Sequence, residues 1–396
     1  MFRSPRIRAP AIPVVLAALA VLAALALAGY RALEPSAPAP TTHHYYVAAD
    51  AVDWDYAPSG RNLITGAEFS PLEQVWVGQG PDRIGRVYRK ALYRAYTDST
   101  FSRLAARPAE WEHLGALGPL LRAAVGDTIV VHFRNNLPFP ASVHPHGVFY
   151  DKASEGAPSD DGTDAAQRGD DAVAPGGSYT YVWPVPERAG PAEHDPSSIL
   201  WMYHSHVNED ADVNAGLMGP IIVTRREAAG PDLAPRDVDR EFVVAFNEYD
   251  ENTSHFLEHN IETYAGDPAS VPREEMFFWT PFGGSNFMET MNGYAYGHLP
   301  GLTMREGDRV RWYLMANTNF EIHAPHWHGN VVTLNGMRTD VTSLMTMGMQ
   351  IADMVADNPG KWMFHCHVNV HLVAGMQAFF EVLPREGAEV AEQAGS

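Results

Sequence analysis

The stretch "WMFHCHVNVHLVAGMQAFFEV", residues 362–382, sets a histidine on either side of a cysteine and closes on an apolar, aromatic run. Earlier, "WMYHSH" (201–206) followed by "GLMGPIIV" (216–223) repeats the order, with serine in the cysteine's place. The likeness reaches outward: "VGDTIVVHFRNN" (125–136) leads to "HPHG" (144–147), as "EGDRVRWYLMAN" (306–317) leads to "HAPHWHG" (323–329). The first half carries a surplus, "DKASEGAPSDDGTDAAQRGDDA" (151–172), acidic and Gly-rich as a loop is. "TIVVHF", "YTYVW", "PIIVT", "EFVVAF", "VRWYL", "VVTL" and "AFFEV" are short β-branched or aromatic runs divided by Gly, Pro, Asn and Asp. With helical periodicity scarce, these read as strands, and the chain as all-β, two β-sandwiches joined near 225–240. "AAGPDLAPRD" (228–237) is the expected linker.

Ten of the 18 histidines fall in four clusters: His144 and His146; His204 and His206; His323, His326 and His328; His365, His367 and His371. Residues i and i+2 of a strand share a face, so each H-x-H pair aims two imidazoles at one point. Imidazole suits copper, zinc, iron and nickel. A single pair is a weak signal, whereas four at repeated positions are specific, because burying so many imidazoles without partners is costly. The middle residue of each pair faces the other way. Cys366 therefore serves a different point from His365 and His367, with His371 five residues on and Met376 five further. Together with His323 this gives two imidazoles, a thiolate and a distant thioether, the blue-copper combination. The first half offers Ser205 and no counterpart of His323 or His371, so it is expected to hold no blue copper and to contribute four imidazoles only.

Charge and cysteine usage agree with a protein outside the cytoplasm. Asp and Glu outnumber Lys and Arg by 48 to 28, a formal net charge of -20 that argues against a nucleic-acid partner. Arg3, Arg6 and Arg8 precede an apolar run, Ala11 to Gly29, with Ala26-Leu27-Ala28 as a small-residue cleavage site. The same run is long enough to span a bilayer, which needs about 17–25 residues, so a cleaved signal and a retained anchor both stand over 1–30. Residues 31–45 are expected to be a Pro/Ala-rich spacer. In an oxidising compartment cysteines come in pairs, and one that cannot pair in its chain is a liability or a ligand.

Taken together, H-x-H-G, H-x-H, H-x-x-H-x-H-G and H-C-H-x-x-x-H-x-x-x-x-M resemble the multicopper oxidases over nearly all of the chain beyond the N-terminal run. "KALYRAYTDSTF", "NGYAYGHLPGLTM" and "NPGKWMFHCHVNVHLVAGMQAFF" are similar to ceruloplasmin and hephaestin, while the two-domain length and "SDDGT" resemble small bacterial laccases. The resemblance implies two cupredoxin-like Greek-key domains, 46–227 and 241–385, with a linker at 228–240 and a tail at 386–396. It implies four copper ions per functional site. His323, Cys366, His371 and Met376 would hold the type 1 ion, and His144 and His326 the type 2 ion. His146, His204, His206, His328, His365 and His367 would hold the type 3 pair. It further implies oxidation of a small one-electron donor coupled to reduction of dioxygen to two waters. Asp161 and Tyr150 match a proton-relay acid and a cluster-side tyrosine, and a homotrimer would join first and second domains of neighbouring chains. The acidic iron-binding positions of the ceruloplasmin-like ferroxidases fall on Gly284 and Val370, and Glu289 stands where a histidine is expected. Phenol-type donors are therefore expected to outpace Fe(II). Oxidation of Fe(II) or Cu(I) is the alternative, and a copper nitrite reductase fits less well, having its blue site in the first domain and no H-C-H. Met345, Met347, Met349 and Met354 resemble those of methionine-rich cuprous oxidases, but their spacing also fits one face of a strand, and core packing is the expectation; His255, His259 and His298 are expected at the surface or in loops.

Overall fold

The structure, a computed structural model, describes residues 39–274, 279–317 and 322–385. The apolar run 11–29 and the tail 386–396 lie outside the described residues, and no helix among the described residues is long and apolar enough to cross a membrane.

Eight strands belong to the first half: β1 (Thr42–Asp55), β2 (Val87–Tyr96), β3 (Leu121–Ala124), β4 (Thr128–Asn135), β5 (His144–Pro145), β6 (Ser178–Pro184), β7 (Ser198–His204) and β8 (Met218–Thr224). They form two sheets, ordered β2-β1-β4-β6 and β3-β8-β7-β5. The second half adds β9 (Arg240–Asp250), β10 (Phe287–Met291), β11 (Thr303–Arg305), β12 (Arg309–Ala316), β13 (Pro325–Trp327), β14 (Val332–Leu334), β15 (Met337–Thr339), β16 (Met349–Val355), β17 (Gly360–Cys366) and β18 (Gln377–Leu383). Its sheets are ordered β10-β9-β12-β16-β14-β15 and β11-β18-β17-β13. The sequence repeat is a repeat of topology. β1 runs parallel to β4 as β9 does to β12, and β3 runs parallel to β8 as β11 does to β18.

Each pair of sheets closes on its own core. Val47, Ile129, Val131, Phe133, Trp183 and Ile221 fill the first, and Phe242, Val244, Trp312, Leu314, Phe364 and Phe380 the second. A third cluster joins the halves, in which Leu200, Met202 and Ile222 meet Val243, Ala245, Tyr313 and Met315. This explains why "EFVVAF" is apolar at every position but its first. Alternate residues of β9 point to opposite faces, and both faces are buried, one in the sandwich and one against the other half.

Two expectations need correction. The segment 31–45 is not spacer to its end, because β1 begins at Thr42 and pairs in register with β4 from Thr128 onward. "THHYY" lacks apolar alternation, yet Thr and Tyr suit a pleated surface, and Asp127 takes the Thr41 N–H at 2.8 Å. The four methionines do not share a strand face either. Met345 and Met347 precede β16, Met345 is exposed, and Met347 has a positive φ of 53°. Met349 and Met354 lie an odd number of residues apart, so they face opposite sides, Met349 toward the junction of the halves and Met354 into the second core.

Candidate metal centres

The glycine that follows H-P-H and H-W-H explains how the strands bring the histidines together. Gly147 and Gly329 have φ of 73° and 66°, and a Cβ on either would overlap the ring of Trp201 or Trp362, the tryptophan of its own "WM" motif. The turn after β5 or β13 therefore closes against β7 or β17. In consequence His144 stands opposite His204, and His326 opposite His365.

Ligand atoms of His144, His146 and His204 lie within 4.8 Å of one another, as do those of His326, His328 and His365. Nε2 of His146 faces Nε2 of His204 at 3.0 Å, and His328 faces His365 in the same way at 3.0 Å. The Nδ1–H groups of His144, His204 and His365 donate to the carbonyls of Glu155, Ser205 and Cys366. A carbonyl only accepts, so each ring is fixed in the tautomer that leaves Nε2 free to bind a cation. Burial holds His146 and His365 down at about 4 and His204 at about 3, so these rings are neutral at pH 7. His206 and His367 extend the two sets, with ring centroids 5.1 Å from His144 and His326 respectively. Among the described residues, ring contacts of each set stay within its own half of the chain.

The third group is His323, Cys366 and His371, all buried. Cys366 Sγ lies 3.5 Å from Nδ1 of His371 and 4.0 Å from Nδ1 of His323, and it accepts the Ala324 N–H at 3.3 Å. Met376 is fully buried, its carbonyl accepting the Cys366 N–H at 3.1 Å. Two imidazoles and a thiol gathered here, with Met376 buried in the same core as Cys366, fit a blue copper ion. Desolvation raises the Cys366 thiol to about 11 and lowers His323 to about 3 and His371 to about 4. At pH 7 the thiol alone of these groups carries a proton that a metal must displace. Cu(II) binding at this group should release one proton at pH 7, read by calorimetry in buffers of differing ionisation enthalpy. Release of two or three would mean the imidazoles are protonated beforehand.

The first half contains the same pocket with other side chains. Its helix Glu209–Ala215 and the second half's Asn369–Ala374 both end on a glycine of positive φ, Gly216 at 117° and Gly375 at 120°. Gly216 N–H reaches the Asp212 carbonyl, as Gly375 N–H reaches that of His371. Ser142 N–H donates to Ser205 Oγ where Ala324 N–H donates to Cys366 Sγ. Asp212 thus stands in the place of His371, Ser205 in that of Cys366, Ala141 in that of His323 and Leu217 in that of Met376. The Asp212 carboxylate accepts from Ser205 Oγ at 2.6 Å, and its other oxygen lies 2.7 Å from His255 Nε2. Sequence spacing hides this match, since Asp212 follows Ser205 by seven residues and His371 follows Cys366 by five.

Of the two relay candidates, Tyr150 sits edge-on to His144, ring centroids 5.8 Å apart, and partial burial raises its hydroxyl pKa. Asp161 is instead paired with Lys152 at 2.6 Å and bonded to Thr163, which holds its carboxyl well below the usual range. Gly284 lies in the short helix Pro281–Ser285 and Val370 is exposed. Two carboxylates that sequence reasoning passed over or undervalued flank the outer nitrogen of His371. Glu289 Oε1 is 3.8 Å and Glu248 Oε2 4.0 Å from Nε2, on residues that stand directly opposite in β10 and β9. Glu248 lies outside every histidine motif, so no sequence signal pointed to it. Of the remaining histidines, His259 is exposed on the helix Leu257–Tyr264, and His298 bonds Ser59 Oγ at 2.6 Å.

Two family profiles, both described as multicopper oxidase, match residues 114–228 and 272–386, together more than half of the chain. The chain is similar to ferroxidase HEPHL1 of Homo sapiens, 43% identical over 345 residues, which are 86% of this chain and 29% of that protein. It is 41% identical to hephaestin of Rattus norvegicus over 344 residues, 86% of this chain and 29% of that one. Ceruloplasmin of Homo sapiens is 41% identical over 341 residues, 86% of this chain and 31% of its own length. The chain therefore spans about 30% of these curated relatives. Among solved structures, a multicopper oxidase crystal structure aligns with TM-score 0.54 at 21% identity, covering 86% of this chain and 89% of the other. Multicopper oxidase mgLAC aligns with TM-score 0.55 at 19% identity, covering 89% of each. At such identities these two matches speak for the cupredoxin-like fold alone.

Proposed function

The chain belongs to the multicopper oxidase family, which implies copper, and we propose that it oxidises a small one-electron donor and passes the electrons to dioxygen. Four donors each give up one electron, and four protons join one dioxygen to make two waters. Copper held by these residues would supply the redox chemistry, a type 1 ion accepting electrons singly and one type 2 and two type 3 ions meeting dioxygen. The ligands proposed for the type 1 ion are His323, Cys366, His371 and Met376, for the type 2 ion His144 and His326, and for the type 3 pair His146, His204, His206, His328, His365 and His367.

One observation carries this reading. The Cys366 sulfur lies among the Nδ1 atoms of His323 and His371, while its chain neighbours His365 and His367 belong to the imidazole set around His326. A single covalent segment thus links the donor side to the oxygen side. The test is oxygen uptake by the copper-loaded protein with a phenol, Fe(II) and Cu(I) assayed in parallel; no uptake with any donor rejects the reading.

The two imidazole sets are complementary halves, four rings from each part of the chain, and His206 and His367 lie open at their edges. The proposal is that a first-half set meets the second-half set of another copy, three copies closing a ring by cyclic symmetry. Tyr150 is the group proposed to pass protons at the cluster edge. Asp161, ionised against Lys152, is proposed to hold that lysine rather than to carry protons. The unpaired cysteine and the basic-then-apolar N-terminus fit a location outside the cytoplasm, with or without a membrane anchor.

A metal cation as the donor is a second reading, favoured by Glu248 and Glu289. Two carboxylates buried against the outer nitrogen of His371 suit a small cation better than a phenol ring. On this reading Glu289→Gln raises KM for Fe(II) about tenfold or more, as loss of one charged ligand does, with kcat/KM for a phenol little changed. Equal losses for both donors would assign Glu289 to the blue site itself, and the cation reading fails.

A further inference from the structure

The outer face of the first sandwich carries a histidine pair that the oxidase reading does not use. His44 of β1 and His132 of β4 lie on the same face, since His44 pairs with Val130 in a parallel register and His132 is two residues on. Nδ1 of His44 faces Nε2 of His132 at 3.1 Å, and the rings are stacked within 11°. That separation is nearly the 3.0 Å found in the pairs His146–His204 and His328–His365. Metal–nitrogen bonds of about 2.0–2.1 Å bring two nitrogens about this far apart when both bind one ion.

The surroundings fix His132 for the task. Tyr46, His132 and Thr180 are in register across β1, β4 and β6. Tyr46 stacks on His132, centroids 4.8 Å apart at 14°, and Thr180 Oγ1 lies 3.2 Å from Nδ1 of His132. With the Nδ1 proton donated to the Thr180 hydroxyl, the Nε2 lone pair points at His44, the outer-shell arrangement typical of metal-binding histidines. Partial burial, with the nearby His44 second, lowers the His132 pKa.

We propose that His44 and His132 form a surface site for one divalent transition-metal ion, separate from the copper ligand sets. Imidazole ligands select the borderline cations, with Cu(II) bound most tightly and Zn(II) accepted. Among the described residues His44 and His132 supply the two protein ligands, and His44 is exposed, so water completes the shell and the ion exchanges readily. The site would hold a labile ion on the outer face of the sheet, apart from the buried His323, Cys366 and His371 group.

Calorimetric titration of Zn(II) into the copper-loaded protein at pH 7.5 tests this. The expected result is one zinc ion per chain, removed by a chelator without loss of the blue absorption. His132→Ala and, independently, His44→Ala should each weaken it by at least about tenfold, since losing even an outer-shell partner costs a site that much. Both variants should keep the blue absorption, showing that the fold is intact. No zinc uptake by the unaltered protein, as a proton shared between the two rings would give, overturns the proposal. So does uptake that survives in both variants.

Discussion

Cys366→Ser should abolish the intense blue absorption and reduce donor oxidation to the background of the assay, while most of the remaining copper stays bound. The sulfur lies 4.0 Å from His323 Nδ1 and 3.5 Å from His371 Nδ1, and neither imidazole set uses it. A hydroxyl does not ionise as a thiol does, so the variant loses the soft anionic ligand on which a blue site depends. Misfolding is not the expected cause, because the first half already carries serine at this point of the same pocket. There Ser205 Oγ accepts the Ser142 N–H at 3.1 Å, as Cys366 Sγ accepts that of Ala324 at 3.3 Å. Metal analysis beside absorption spectroscopy decides it. Retention of the blue band would sink the assignment of Cys366.

The second large effect separates a cluster shared between chains from one built within a chain. His144→Ala breaks only a first-half set and His365→Ala only a second-half set, and each variant alone should be nearly inactive. Coexpressed in equal amounts, they form rings in which an intact first half meets an intact second half at about one junction in four, by random closure of a cyclic assembly. About a quarter of the unaltered activity should return. The blue site is unaffected in the His144→Ala chain, whose second half supplies the electron path to such a junction. Mixed assemblies as inactive as either single variant would place the cluster within one chain.

Much of this was open to reading in the chain itself. The H-x-H pairs work through the two-residue period of a strand, a local rule that needs no tertiary knowledge, and the repeat showed that the halves share one topology. The single cysteine between His365 and His367 stood out in the sequence as the one thiol that could fill the proposed thiolate role. What escaped was whatever depends on neighbours distant in sequence. Glu248 and Glu289 become a pair only because β9 and β10 run antiparallel with those two positions opposite, and no motif encodes a register. Asp212 could be matched to His371 only through the helix-ending glycines, since two extra residues displace it in the alignment. Thr42 to Tyr45 read as spacer because their pairing with β4 lies 86 positions along the chain. The His44–His132 pair has the same origin. The sequence determined which side chains could bind metal and that strands would carry them; the packing of strands far apart in the chain decided which of them meet, because nitrogen–nitrogen and carboxylate–nitrogen distances of 3–4 Å are set by sheet register and not by spacing along a strand.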